Sequence, residues 1–117
     1  ATQTWPATET PAATPTVAPS RRRYRVTWYG DDFAGGPMLC TGEPYDPNDP
    51  TTAASGEGGP LCGSHLTLCS EADAALCQGV VLRDGCGGCG PDHLDLSRAA
   101  WLALGQPEFV VASVTAR

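Results

Sequence analysis

Cys86-Gly87-Gly88-Cys89-Gly90-Pro91-Asp92-His93-Leu94-Asp95-Leu96-Ser97 brings two cysteines, a histidine and two carboxylates into twelve residues. A third carboxylate, Asp84, stands just upstream, at the end of the apolar run Val80-Val81-Leu82. Such a cluster is an active site, the remains of one, or a binding surface. Downstream, Ser97–Leu104 is rich in Ala, Leu and Trp, with Gly105 as a stop and Pro107 beyond, and reads as the one clear helix.

Outward from this run the chain reads as strands and loops. Tyr24–Tyr29 alternates and is dense in β-formers, Ser64–Leu68 and Gly79–Arg83 are strand-like, and Phe109–Thr115 is a Val-rich closing strand. Ser70-Glu71-Ala72-Asp73 fits a capping box that opens one helical turn through Leu76. Gly30–Pro60 is loop-like, and so long an irregular stretch in a small domain is usually functional or pinned. Short strands, one late helix and Gly-rich loops predict a mainly β chain folded as a small barrel with one or two short helices.

Residues 1–23 hold six Thr, four Pro and five Ala, with Trp5 and Val17 as the large apolar residues. That composition buries too little surface to offset its ordering entropy, so a flexible tail is expected over 1–23 and one domain over 24–117. The tail carries three Arg against Glu9, a charge of +2; the remaining residues carry four Arg against twelve acids, a charge of −8. An acidic body speaks against nucleic acid and against anionic membranes or wall polymers as partners, and the Arg21-Arg22-Arg23 run reads as a solvated hinge or an old processing point. No run is long enough for a membrane helix.

An even number of cysteines, six, in a short chain reads as a disulfide framework and a secreted protein. With no starting Met and no apolar leader, the sequence reads as a mature form. Cys69 and Cys77 flank a short turn and Cys86 and Cys89 form a CxxC, which leaves Cys40 with Cys62; fifteen connectivities are formally open. A redox CxxC wants its first cysteine at a helix N-terminus, but Gly90-Pro91 follows this pair and the helix starts later. Zinc would need a closed tetrahedral set, and no second CxxC or His pair stands at ligand spacing. Neither a metal nor a cofactor is expected.

Several motifs resemble the RlpA-like and expansin-like proteins. Val26-Thr27-Trp28-Tyr29-Gly30 is similar to their opening strand, and Gly42-Glu43-Pro44-Tyr45-Asp46 with Thr52-Ala53-Ala54 to the RlpA segment GE-x-YD…TAA. Leu61-Cys62-Gly63-Ser64 through Cys69 resembles the cysteine-bearing strand of expansins, and His93-Leu94-Asp95-Leu96-Ser97 the HFDLS motif. The resemblance spans residues 24–117 in order and implies a disulfide-stabilised, six-stranded double-psi β-barrel. It implies Thr27, Asp84 and Asp95 at the expansin working positions, with Cys86 where a sugar-stacking aromatic usually lies. It implies Glu43 and Asp84 at RlpA working positions, with Ser55 where that family has a histidine. Serine supplies no proton-transfer group of suitable pKa. The expansins' second, carbohydrate-binding domain is not expected, since the sequence ends at Arg117.

Two readings of the acids stand side by side. Asp84 and Asp95 are a carboxylate pair of the kind glycosidases use, or Asp95 caps the helix near Ser97 and Asp84 ends a strand in a turn. His93 and His65 read as surface or strand residues. The chain, with this barrel behind a Thr/Pro-rich leader, also resembles small secreted bacterial inhibitors of papain-like cysteine proteases, and this resemblance implies the leading expectation: a non-enzymatic, monomeric, extracellular inhibitor that docks a rigid surface on such a protease. Its binding residues are expected among Tyr29, Asp31, Asp32, Asp84, His93 and Asp95. The alternative is an expansin-like or RlpA-like wall-glycan binder with a degenerate site at Thr27, Glu43, Ser55, Asp84 and Asp95, in which residual lytic activity persists. Gln3, between threonines in the tail, is a candidate acyl donor for a protein-crosslinking enzyme such as a transglutaminase.

Overall fold

A computed structural model describes residues 21–114. Six strands follow in order: β1 (Arg21–Tyr29), β2 (Thr52–Ser55), β3 (His65–Ser70), β4 (Cys77–Gly85), β5 (His93–Ser97) and β6 (Phe109–Val114), with helix α1 (Arg98–Ala103) between the last two. They close into a barrel in the order β1-β5-β2-β4-β3-β6. The β1–β5 and β2–β4 pairs are parallel and the other four antiparallel.

The alternation along each strand decides which face fills the barrel. Tyr24 and Val26, Ala53, Leu66 and Leu68, Val80 and Leu82, Leu94 and Leu96, Val110 and Ala112 all point inward and are buried. Helix α1 plugs one end: Ala100 and Leu104 join the core, and Trp101 stacks on Trp28 at 5.4 Å between ring centroids. The chain turns from β5 into α1 without a linker because Ser97 is both last strand residue and N-cap, its Oγ accepting from Ala100 N at 3.2 Å. Gly105 ends the helix at φ +80°, a conformation that favours glycine.

Three expectations differ from the structure. β1 starts at Arg21, so the arginine run is not a hinge: it pairs with β6, where Arg23 lies over the Phe109 ring and binds Glu71. Ser70 ends β3 and residues 71–76 form the irregular loop of the β3–β4 hairpin rather than a helical turn, although Ser70 Oγ does accept from Asp73 N; Cys69 and Cys77 face each other across that hairpin and are disulfide-bonded. The helical second element is instead a short 3₁₀ turn at Asp31–Phe33. The stretch Gly30–Pro60 contains β2, which is only four residues long and too short to read by periodicity. Gln3 and the rest of residues 1–20 lie outside the described residues.

All six cysteines are paired, Cys40–Cys62, Cys69–Cys77 and Cys86–Cys89. The long segment after β1 is pinned rather than loose. Pro37 bridges Pro44, Gly35 N donates to Tyr45 O and Tyr45 N to Gly36 O, and Ala99 N on α1 donates to Pro47 O.

Candidate functional site

The outer face of the barrel carries a row of residues set by strand register. Thr27 on β1 pairs with Asp95 on β5, Asp95 with Ala54 on β2, and Ala54 with Asp84 on β4. Paired positions share a face of the sheet, so these four residues lie side by side across four strands. Asp84 joins the row through an irregularity: Ala53 pairs with Leu82 but Ala54 with Asp84, which makes Arg83 an extra residue. A bulge of this kind re-aims the side chain that follows it. The displaced Arg83 donates to Thr51 O, Thr51 Oγ1 and Thr52 Oγ1, so its charge stays on the strand edge.

At one end of the row the hydrogen bonds form a relay. Thr27 Oγ1 donates to Asp95 Oδ1 at 2.9 Å, and His93 Nε2 lies 2.8 Å from the same hydroxyl. With its one proton given to Asp95, the hydroxyl accepts from His93 Nε2–H. Burial raises the Asp95 pKa, and the nearby Asp84 charge adds to the rise, while the Thr27 bond and His93 work against it.

At the other end Asp84 is occupied. Tyr29 Oη donates to Oδ2 at 2.9 Å, and the backbone N–H groups of Leu39 and Gly85 both donate to Oδ1 at 2.8 Å. Three of about four acceptor positions are therefore taken by the protein itself. Tyr29 in turn packs under the pinned segment, with Met38, Tyr45 and Ala54 in a second buried cluster. The Tyr29 and Tyr45 rings stack at 4.1 Å, and Tyr45 Oη donates to Tyr29 O. Burial, followed by the Asp84 bond and charge, pushes the Tyr29 hydroxyl well above its ordinary pKa; burial pushes Tyr45 up to about 12.

The structure thus brings Thr27, Tyr29, Asp84, His93 and Asp95 onto one face. Asp31 and Asp32 sit apart on the 3₁₀ turn, where Asp31 binds Arg98 at 2.9 Å. Glu43 is exposed on the turn after Cys40, and Ser55 Oγ donates to Pro60 O, so neither joins the relay. Asp95 does not cap the helix; Ser97 does, and the strand places Asp95 on the outer face instead. Asp84 does lie near a strand end, where Oδ1 accepts from Gly85 N, but the same oxygen also fastens Leu39 N and Oδ2 holds Tyr29 Oη. Two participants had no signal in the sequence: Leu39, which contributes only its backbone N–H, and Arg25, which register sets beside His93. Arg25 and His93 line a shallow depression of about 530 Å³ with Arg23, Asp92 and Phe109. Among the described residues no group of three or more His, Cys, Asp or Glu is placed to hold a metal ion, and no helix is long and apolar enough to cross a membrane.

No family model matches the sequence, and no curated protein sequence does either. Solved structures do. The Streptomyces papain inhibitor matches with a TM-score of 0.65 and 22% identity, over 83% of this chain and 96% of the inhibitor. The Clavibacter michiganensis expansin in its apo form matches with a TM-score of 0.60 and 23% identity, over 83% of this chain. The fold is a double-psi β-barrel. A mutant of the same expansin in complex with cellohexaose gives the same TM-score of 0.60 over 84% of this chain. The double-psi barrel described here spans about half the length of those expansins, 51% of each.

Proposed function

We propose that this chain is a secreted inhibitor of papain-like cysteine proteases that acts by docking a preformed surface. The observation that carries this reading is the occupied site: three donors of the chain itself hold Asp84, on a fold that matches the Streptomyces papain inhibitor with a TM-score of 0.65. The physical character of the molecule supports it. Three disulfides and a pinned long segment leave little to order on binding, so less free energy is lost on docking. Asp84 is consumed by three internal donors, and Ser55 holds a carbonyl of its own chain. Neither is arranged for proton transfer. Disulfide-bonded frames of this kind belong to oxidising surroundings, which accords with an extracellular setting.

The test is a titration of active papain with the purified protein. Inhibition at nanomolar to micromolar concentration is expected, and full papain activity at a large molar excess overturns the proposal.

A second reading has its own observation. Asp95, with its pKa raised by burial and its partner Asp84 across Ala54, retains part of what a glycan-active carboxylate pair requires. On that reading the protein sediments with insoluble cellulose or peptidoglycan and Asp95→Asn releases it. Absence of co-sedimentation with both polymers removes this alternative.

A further inference from the structure

Among the described residues, the two most exposed large apolar side chains are Leu39 and Leu61, at 77% and 71% of their free surface. They precede Cys40 and Cys62, which are bonded to each other with Cα atoms 5.6 Å apart. A lone exposed leucine needs no explanation. Two of them held on either side of one disulfide do, because the pairing fixes them on the same edge of the molecule.

The backbone beneath them is fastened to the end of β4 at three points and closed by a turn. Leu39 N donates to Asp84 Oδ1 at 2.8 Å, Cys40 N to Arg83 O at 3.0 Å, Gly63 N to Leu82 O at 2.8 Å, and Ser64 N to Leu61 O at 3.1 Å closes the turn. Leu39 lies against Gly85, where an added Cβ would come within 2.4 Å of its Cδ2. The bond from Leu39 N thus gives Asp84 a use that requires no ligand in the groove: it braces a leucine at the surface. The segment that carries both leucines holds acids alone, although Arg83 of β4 lies beneath Cys40. Residues 34–62 contain Glu43, Asp46, Asp49 and Glu57 and no Arg, Lys or His, and Glu43 and Glu57 are exposed.

We infer that Leu39-Cys40 and Leu61-Cys62 form the inhibitory edge, two leucines that enter apolar subsites of a cysteine-protease cleft with a basic rim. The inference rests on the inhibitor reading above and adds the contact surface to it. An apolar anchor on a rigid backbone inside a polar margin has the anatomy of an interface centre and rim. The acidic margin selects a cationic partner surface and hastens encounter with it.

The experiment compares papain inhibition by the wild type, L39A/L61A, L39D/L61D and, as a control on helix α1, L102D. Near-UV circular dichroism confirms the fold of each, and the inhibition constant is measured at low and high salt. Truncating two anchor side chains is expected to raise the inhibition constant about 100-fold, with the aspartate pair worse and the control within about twofold. Wild-type inhibition is expected to weaken as salt rises. A wild type that inhibits while both double variants inhibit equally well overturns the edge and leaves the inhibitor reading intact. A wild type that fails to inhibit overturns both. Sedimentation of the same samples covers the competing occupant: a wild-type dimer that L39D/L61D dissociates, with inhibition unchanged, assigns the edge to a second copy of the chain and overturns the inference.

Discussion

Asp95 shows how one residue acquires a special environment from register alone. It has no unusual neighbour in sequence, yet parallel pairing with β1 gives it the Thr27 hydroxyl, and antiparallel pairing with β2 sets Ala54 between it and Asp84. Burial and the second carboxylate raise its pKa above the ordinary 3.8. The sign follows from linkage: a carboxyl that holds its proton more tightly in the folded state destabilises the fold wherever it is ionised, and the cost disappears as pH falls through the raised pKa to 3.8. Asparagine keeps an acceptor for Thr27 Oγ1 and carries no charge. Asp95→Asn is therefore expected to melt above the wild type at neutral pH, with the two melting temperatures converging as the pH approaches 4. Thermal unfolding across that range checks it; a variant that melts lower at neutral pH, or a difference independent of pH, contradicts the electrostatic account.

Among the elements, the junction of β5 and α1 concentrates the most on one side chain. Ser97 is fully buried; its Oγ accepts from Ala100 N and donates to Asp49 O at 2.6 Å, so it caps the helix and ties it to the segment that leads into β2. Ser97→Ala strands a buried N–H and leaves a carbonyl without its donor. The expected loss is about 2 kcal/mol in urea unfolding, the sum of a cap and a hydrogen bond. A loss below about 0.5 kcal/mol, the level of an ordinary surface change, would mean the cap is replaced by water.

The same junction marks what the sequence discloses about elements. The helix after Ser97 was readable from its Ala, Leu and Trp formers and the Gly105 stop, whereas β5, His93–Ser97, was visible only as a motif of the resemblance and not as a strand. The ring order was readable only through resemblance, since parallel pairs such as β1–β5 join strands 66 to 68 residues apart in the chain. β2 was hidden by its length, and the arginines of β1 by their charge, which the outer face of an antiparallel pair tolerates. The bulge at Arg83 left no mark at all. It exists because Arg83 finds oxygen acceptors on Thr51 and Thr52 at the strand edge, and those partners lie more than thirty residues away.

For the molecule as a whole, closure of the barrel leaves one long excursion, the segment from Tyr29 to His65 that carries β2, the second buried cluster and the exposed leucines. Cys40–Cys62 closes it, with a sequence separation of 22, against 8 for Cys69–Cys77 and 3 for Cys86–Cys89. In the chain-entropy account, stabilisation grows with the logarithm of the loop, which orders the three at about 3.4, 2.5 and 1.6 kcal/mol. Native-state contacts reinforce that order, because Cys69 and Cys77 are already cross-strand partners in a hairpin, whereas Cys40 and Cys62 belong to separate loops. Paired Cys→Ala variants are expected to lose stability in the sequence 40/62, then 69/77, then 86/89, read from urea midpoints at constant slope. Loss of the first pair also frees Leu39 and Leu61 from their common mount, so inhibition should fall in C40A/C62A even under conditions where the variant stays folded, and should persist in C86A/C89A. Equal losses of stability across the three pairs, or inhibition that survives C40A/C62A intact, would show that the long segment is held by its hydrogen bonds and second core without the staple.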